Sequence, residues 1–214
     1  GPAAAKYLYA GAVLIRDNVQ KPSEALARMR KVLAADPLHE KAFRYTVEAL
    51  EGQGDAKELS RALRARLKAL PEQATEQRVV LFDMLGALYE VDLDDPKTAL
   101  AAYEQAIALA GYKDDEAQQG RIRRAYELSL EMGPDESDKA IQMAQLVIER
   151  RPMDFDAYHA LLRMFVTAGL RDSAVCVARA LRFLKQANTQ EMELANAGDR
   201  GFNPPRGVMT GELW

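Results

Sequence analysis

The sequence predicts an all-α fold: an α-solenoid of about five stacked helical hairpins, followed by an irregular C-terminal tail. Three observations carry this. Residues 82–111 read as two helices facing each other. Phe82, Leu85, Gly86 and Tyr89 share one helix face, and Ala99, Tyr103 and Ala106 share another. Asp94-Asp95-Pro96 lies between them as a turn. The second observation is that Pro37 and Pro71 stand 34 residues apart, the length of one complete hairpin with its connections. The third is a direct register of 74 residues, in which Leu8, Ala12, Ile15, Pro22, Ala25 and Leu26 precede Phe82, Gly86, Tyr89, Pro96, Ala99 and Leu100.

The elements follow in order. Tyr7 to Val19 is apolar on one face, and a second helix is expected from about Pro22 to Ala35, with Ala25, Met29 and Val32 inward. The next hairpin places Phe43, Val47 and Leu50 on its first helix. It turns at Gly52–Asp55 and continues with Leu59, Leu63 and Leu67. Leu59 and Arg66 stand where small residues are expected, so this pair is expected to splay slightly. In the central hairpin Asp95 is the expected N-cap and Pro96 the first helical residue. Ala99 and Ala106 are expected to be buried near Gly86, large residues on one helix meeting small ones on the other. The fourth hairpin begins near Lys113-Asp114-Asp115. Its first helix, with Ile122, Ala125, Tyr126 and Leu130, fits the pattern poorly. Gly133-Pro134-Asp135 reads as an enlarged turn, and Ala140, Ala144, Val147 and Pro152 restore the spacing. Tyr158, Leu161, Leu162 and Phe165, then Ala174, Ala178 and Leu181, form the fifth.

The hairpins are expected at about residues 5–38, 39–73, 79–112, 115–152 and 154–187, the array covering 3–187. From Asn188 the periodicity stops, with room for one short helix to Gly198. Residues 188–214 then form a tail or linker. Phe202, Val208, Met209, Leu213 and Trp214 make it apolar enough to pack on the last hairpin. Gly1-Pro2 reads as the remnant of a cleaved expression fusion.

The pattern F-x2-L-G-x2-Y…A-x3-Y from Phe82 to Tyr103 resembles the tetratricopeptide repeat, a helix–turn–helix unit of 34 residues. Phe82 stands where that family has Trp, and Gly111 where it has Pro. The resemblance implies a right-handed superhelix whose first helices line a concave groove that binds proteins or peptides. Another α-solenoid with repeats of 36 or more residues is the alternative, and the Pro37–Pro71 spacing argues against it. Carrying the repeat register across gives the groove positions. They are Tyr9, Val13 and Arg16; Lys41, Arg44, Glu48 and Glu51; Asp83, Ala87 and Glu90; Arg123 and Glu127; and Asp156, His159, Arg163 and Val166. Repeats of this family that grip the C-terminal carboxylate of heat-shock chaperones carry Lys-x3-Asn on a groove helix. The corresponding pairs here are Tyr9/Val13, Arg44/Glu48 and Asp83/Ala87, so a co-chaperone role is not expected.

No chemistry competes with this reading. With 48% hydrophobic and 29% charged residues and a net charge of −3, the chain reads as an ordinary soluble protein. The mild acidity argues against nucleic-acid binding. Nothing approaches 18 consecutive apolar residues, so membrane insertion is not expected. Cytoplasmic location is expected, with a periplasmic one left open because the chain does not begin with Met. Two histidines, His39 and His159, are too few for a metal site. Cys176, beside Val175 and Val177, is expected to be a packing residue. Gly52-x-Gly54 lacks the Lys-Ser/Thr of a phosphate loop, and the aspartate pairs fall in turns where they cap helices. No catalytic residue and no cofactor is expected. The expected role is a protein-interaction module within a larger scaffold or adaptor. The alternative is a structural spacer that self-associates through the ends of the array.

Overall fold

The structure is a computed structural model that describes residues 2–19, 21–111, 115–132 and 137–199. The all-α class is borne out: among the described residues there are eleven α-helices and no strand. The chain divides into two compact units, residues up to Arg121 and residues from Ile122.

The first unit holds α1 (Pro2–Leu14), α2 (Pro22–Ala35), α3 (Glu40–Gln53), α4 (Ala56–Ala69), α5 (Thr75–Val91) and α6 (Pro96–Ala110), with the start of α7 (Glu116–Glu131). Each helix from α1 to α6 packs on the next, which is the arrangement of successive hairpins. The expected first helix is shorter than Tyr7–Val19 suggests: α-geometry ends at Leu14, and Ile15–Val19 widens into a π-helical turn. The core is aliphatic, built on Leu50, Leu63, Leu81 and Leu85, and small residues seat the neighbouring helices at Ala12, Ala25 and Ala42.

The central hairpin follows from its residues. Asp95 caps α6, its carboxylate accepting from the Thr98 backbone N–H at 3.0 Å and the Thr98 hydroxyl at 2.6 Å, and Pro96 enters the first turn. Ala99 and Ala106 are fully buried. Gly86 has no room for a side chain because the Tyr103 ring lies against it. Gly111, where the family has Pro, ends α6 at φ 64° and ψ −140°, which only glycine adopts without strain. The hydroxyl bond from Thr98, followed by its backbone bond, holds the Asp95 carboxyl below its ordinary value. A carboxyl with a depressed folded-state pKa contributes stability above its unfolded range and loses it as pH falls through the folded value. We therefore expect Asp95→Ala to cost about 1 kcal/mol near neutral pH. The gap from the parent protein should close as acid protonates Asp95, and denaturant melts across a pH series measure it.

Residues of α7 explain the poor pattern there. Gln118, Ile122, Ala125, Leu128 and Ser129 are buried, whereas Leu130, expected inward, is exposed. In the first unit the Gln118 amide donates to the carbonyls of Ile107 and Gly111, each at 3.1 Å, and so closes the C-terminal end of α6.

The second unit continues with the rest of α7, α8 (Ser137–Arg150), α9 (Phe155–Thr167), α10 (Arg171–Phe183) and α11 (Thr189–Asp199). Ala144, Leu161, Leu162, Phe165, Ala178 and Leu181 form its core. The short helix expected after Asn188 is α11. It packs on α10 and buries Ala195 in the same core. Asn188 and Glu191 make a reciprocal capping pair: Asn188 accepts from the Glu191 backbone N–H at 3.0 Å, and Glu191 accepts from that of Asn188 at 2.8 Å. Cys176 corrects an expectation. It is exposed, because Ala174, Val175, Ala178 and Leu181 define the inward face of α10 and residue 176 falls on the other side. The Gly133-Pro134-Asp135 turn and the apolar tail residues Phe202, Val208, Met209, Leu213 and Trp214 lie outside the described residues.

Candidate functional site

The first-helix positions fall into two groups, open and engaged. On α3 the alternation of buried and exposed residues is sharp. Ala42, Phe43, Thr46, Val47 and Leu50 turn inward, which leaves Lys41, Arg44, Glu48 and Glu51 exposed at steps of three, four and three along one face. Lys41, Arg44 and Glu48 have no side-chain hydrogen bond or ion pair among the described residues. This is an open ridge of mixed charge.

On α1, Tyr9 is half-buried and its ring lies 4.7 Å from that of His39, tilted by 36°. His39 is the N-cap of α3, its Nδ1 accepting from the Ala42 backbone N–H at 3.3 Å. Tyr9 therefore fixes the junction of α1 with α3 rather than standing free. Arg16, in the π-helical turn, pairs with Asp17 at 2.6 Å and lies 6.0 Å over the Tyr45 ring. On α5, Asp83 accepts from Arg121 Nε through both carboxylate oxygens, at 2.7 and 2.9 Å. Glu90 accepts from the Tyr103 hydroxyl at 3.1 Å within its own hairpin.

In the second unit Arg123 is exposed and paired with Glu127 at 3.1 Å. Hydrogen bonds from Arg124 and then Arg123 hold the Glu127 carboxyl below its ordinary value, against the opposing effect of burial. His159 Nδ1 lies 2.7 Å from Glu191 Oε1, so it ties α9 to α11 and is not a free groove residue. Arg163 is different: exposed, without a hydrogen bond or ion pair among the described residues, and lining a cavity of about 350 Å³ with Leu130, Ser137, Ala160, Met164, Thr167 and Ala168.

Sequence reasoning missed a second feature of the first unit. A cavity of about 370 Å³ lies between α2, α3 and α4, lined by Leu33, Ala34, Phe43, Ala62 and Ala65 and by the charged side chains of Arg30, Glu58, Arg61 and Arg66. The signal available in the sequence was Arg66 itself, a large cation at a position expected to be small.

Among the described residues no group of three or more His, Cys, Asp or Glu could hold a metal ion, and no helix is long and apolar enough to cross a membrane.

No protein-family model matches the chain, and no curated protein matches it. Solved structures do. Naa15/Naa10 bound to HypK-THB aligns at 15% identity over 95% of this chain and 26% of that one, with a TM-score of 0.52. YrrB, described as a TPR protein with an unusual peptide-binding site, aligns at 22% identity over 90% of both chains, with a TM-score of 0.45. MamA from Desulfovibrio magneticus RS-1 aligns at 20% identity over 91% of this chain and 97% of that one, with a TM-score of 0.42. Identities this low bear on the fold alone. The chain is a helical-hairpin repeat protein, each hairpin packing on the next within its unit. Its fold is similar to that of tetratricopeptide-repeat proteins.

Proposed function

We propose that this chain is a non-catalytic protein-interaction module, part of a larger scaffold or adaptor, which takes a peptide or helix of a partner protein on its first-helix face. The observation that carries the reading is the open charge on that face. Lys41, Arg44 and Glu48 on α3 are exposed and unengaged among the described residues, while the neighbouring charges of α5 are occupied within the protein. Held exposed on a packed helix, an unengaged arginine fork is ready to grip a carboxylate bidentately. In the second unit Arg163 has the same character and adds an apolar cavity beside it, with Leu130 and Met164 in its wall. Alternating signs favour a ligand of mixed charge with apolar anchors over a uniformly acidic or basic one, because charge complementarity sets specificity and on-rate.

The test is a pull-down with mass spectrometry to identify the partner, followed by affinity measurements on Arg44→Ala and Arg163→Ala. Each should leave thermal stability within about 1 kcal/mol of the parent, as expected for exposed charges. Each should weaken binding by about 2 kcal/mol, the scale of an interfacial anchor. Intact affinity in both variants, together with loss of binding on substitution of second-helix residues, would overturn the assignment.

A further inference from the structure

The cavity between α2, α3 and α4 has an unsatisfied cation in its wall. The Arg66 side chain is only 9% exposed. Its guanidinium lies 4.4 Å over the Phe43 ring, and Nη2 is bonded to Glu40. Nη1 is buried and has no hydrogen-bond partner among the described residues. A guanidinium carries five N–H donors and no acceptor, so Nη1 is left needing an acceptor. Burial without one is costly, and more so for a charged group.

The surrounding charge has one sign in excess. Arg30, Arg61 and Arg66 line the cavity against Glu58 alone. Glu58 is shared by two of them, pairing with Arg61 and, at 3.5 Å, with Arg30. Glu40, which holds Arg66 Nη2, is 62% exposed and not part of the lining. Apart from Thr46, whose hydroxyl donates to the Ala42 carbonyl, the remaining wall is aliphatic and aromatic, with Leu33, Phe43, Leu50, Ala62 and Ala65 in it. An apolar concavity with a few convergent polar groups is the usual form of a binding pocket.

We propose that this cleft docks a segment of a partner protein that presents a glutamate side chain beside an aliphatic one. The carboxylate accepts from Arg66 Nη1 as the guanidinium turns toward the cleft, and the aliphatic chain lies on Leu33, Ala62 and Ala65. A glutamate fits because Nη1 is buried. A slender, flexible stem reaches it from the surface, whereas a chain terminus would have to carry its own backbone polar groups inside. The site is built from α2, α3 and α4 and is separate from the α3 ridge at Arg44.

The experiment uses the full chain, labelled with 15N, and two blocked alanine-rich helical peptides. One carries Leu and Glu a turn apart; the other has Gln in place of Glu. Titration with the Glu peptide should shift the amides of Leu33, Ala34, Ala62 and Ala65. It should saturate about tenfold tighter than the Gln peptide, as expected when one charge-assisted hydrogen bond replaces a neutral one. Arg66→Met should abolish that difference, and Arg44→Ala should leave it unchanged. Arg66→Met is expected to fold, because methionine fills similar space and Glu40 is left in solvent rather than buried. Should that variant unfold, Ala65→Glu, which places a negative charge at an exposed rim position, must weaken the Glu peptide. Equal affinity for the two peptides would overturn the proposal. So would a Glu preference that survives both variants, or shifts confined to Lys41–Glu48, which would place the peptide on the ridge instead.

Discussion

Gly86→Ala is expected to destabilise the first unit by about 1–3 kcal/mol, the usual cost of overpacking a close contact. A Cβ at residue 86 would stand 2.6 Å from Tyr103 Cε1, 2.7 Å from Cζ and 2.9 Å from Cδ1. No side chain tolerates that approach, so the ring or one helix has to move. The ring has little freedom: Tyr103 is 9% exposed and its hydroxyl is anchored on Glu90 at 3.1 Å. One effect works in the other direction. Alanine is the better helix former by about 1 kcal/mol in a helix interior, and residue 86 is well inside α5. The overlap is with three ring atoms at once, so the clash should outweigh the propensity. The two contributions separate in a double-mutant cycle. In a Tyr103→Leu background the ring is gone, and Gly86→Ala should become neutral or stabilising by up to about 1 kcal/mol, a change of sign. Denaturant melts of the four proteins measure it. Stabilisation by Gly86→Ala in the parent protein would show that α5 and α6 do not pack in this register.

That interface was legible in the sequence because its information is local. Ala99, Tyr103 and Ala106 mark an inward face by helical spacing, and Asp95-Pro96 carries its own capping chemistry. The same held in the second helices α2, α8 and α10, where inward residues recur at steps of four and three. It failed in α7, where two core positions are polar. Gln118 is buried because two carbonyls at the end of α6 receive its amide, and Ser129 because its hydroxyl donates to the Tyr126 carbonyl at 2.7 Å. Hydrophobic periodicity cannot register a core residue that is satisfied rather than apolar. The candidate site shows the same limit. Spacing identified which residues share a helix face, yet it could not say which charges the protein already uses. His159 is engaged by a carboxylate 32 residues on, and Asp83 by an arginine 38 residues on. Arg44 and Glu48 are open only because nothing among the described residues reaches them.

Asp83 turns that distinction into a measurable one. The Arg121 side chain is 15% exposed and that of Asp83 31%, so the pair is neither a surface ion pair nor a fully buried one. Exposed pairs contribute about 0–1 kcal/mol. Removing one partner of a buried pair costs about 3–5 kcal/mol, chiefly because the remaining charge is left without compensation. Asp83→Ala strands the more buried member, which among the described residues keeps only the Gln118 Oε1 acceptor at 3.2 Å. A loss of about 2 kcal/mol is therefore expected, between the two limits. Adding Arg121→Met to Asp83→Ala should recover most of it, because the stranded charge is replaced by an apolar chain of similar length. The same variant bears on function. If Asp83 serves the fold, Asp83→Ala lowers the denaturation midpoint while leaving affinity for the captured partner within about twofold, well short of the loss expected of an anchor. An unchanged midpoint with a large loss of affinity would make Asp83 a partner contact, and Arg121 the residue that orients it.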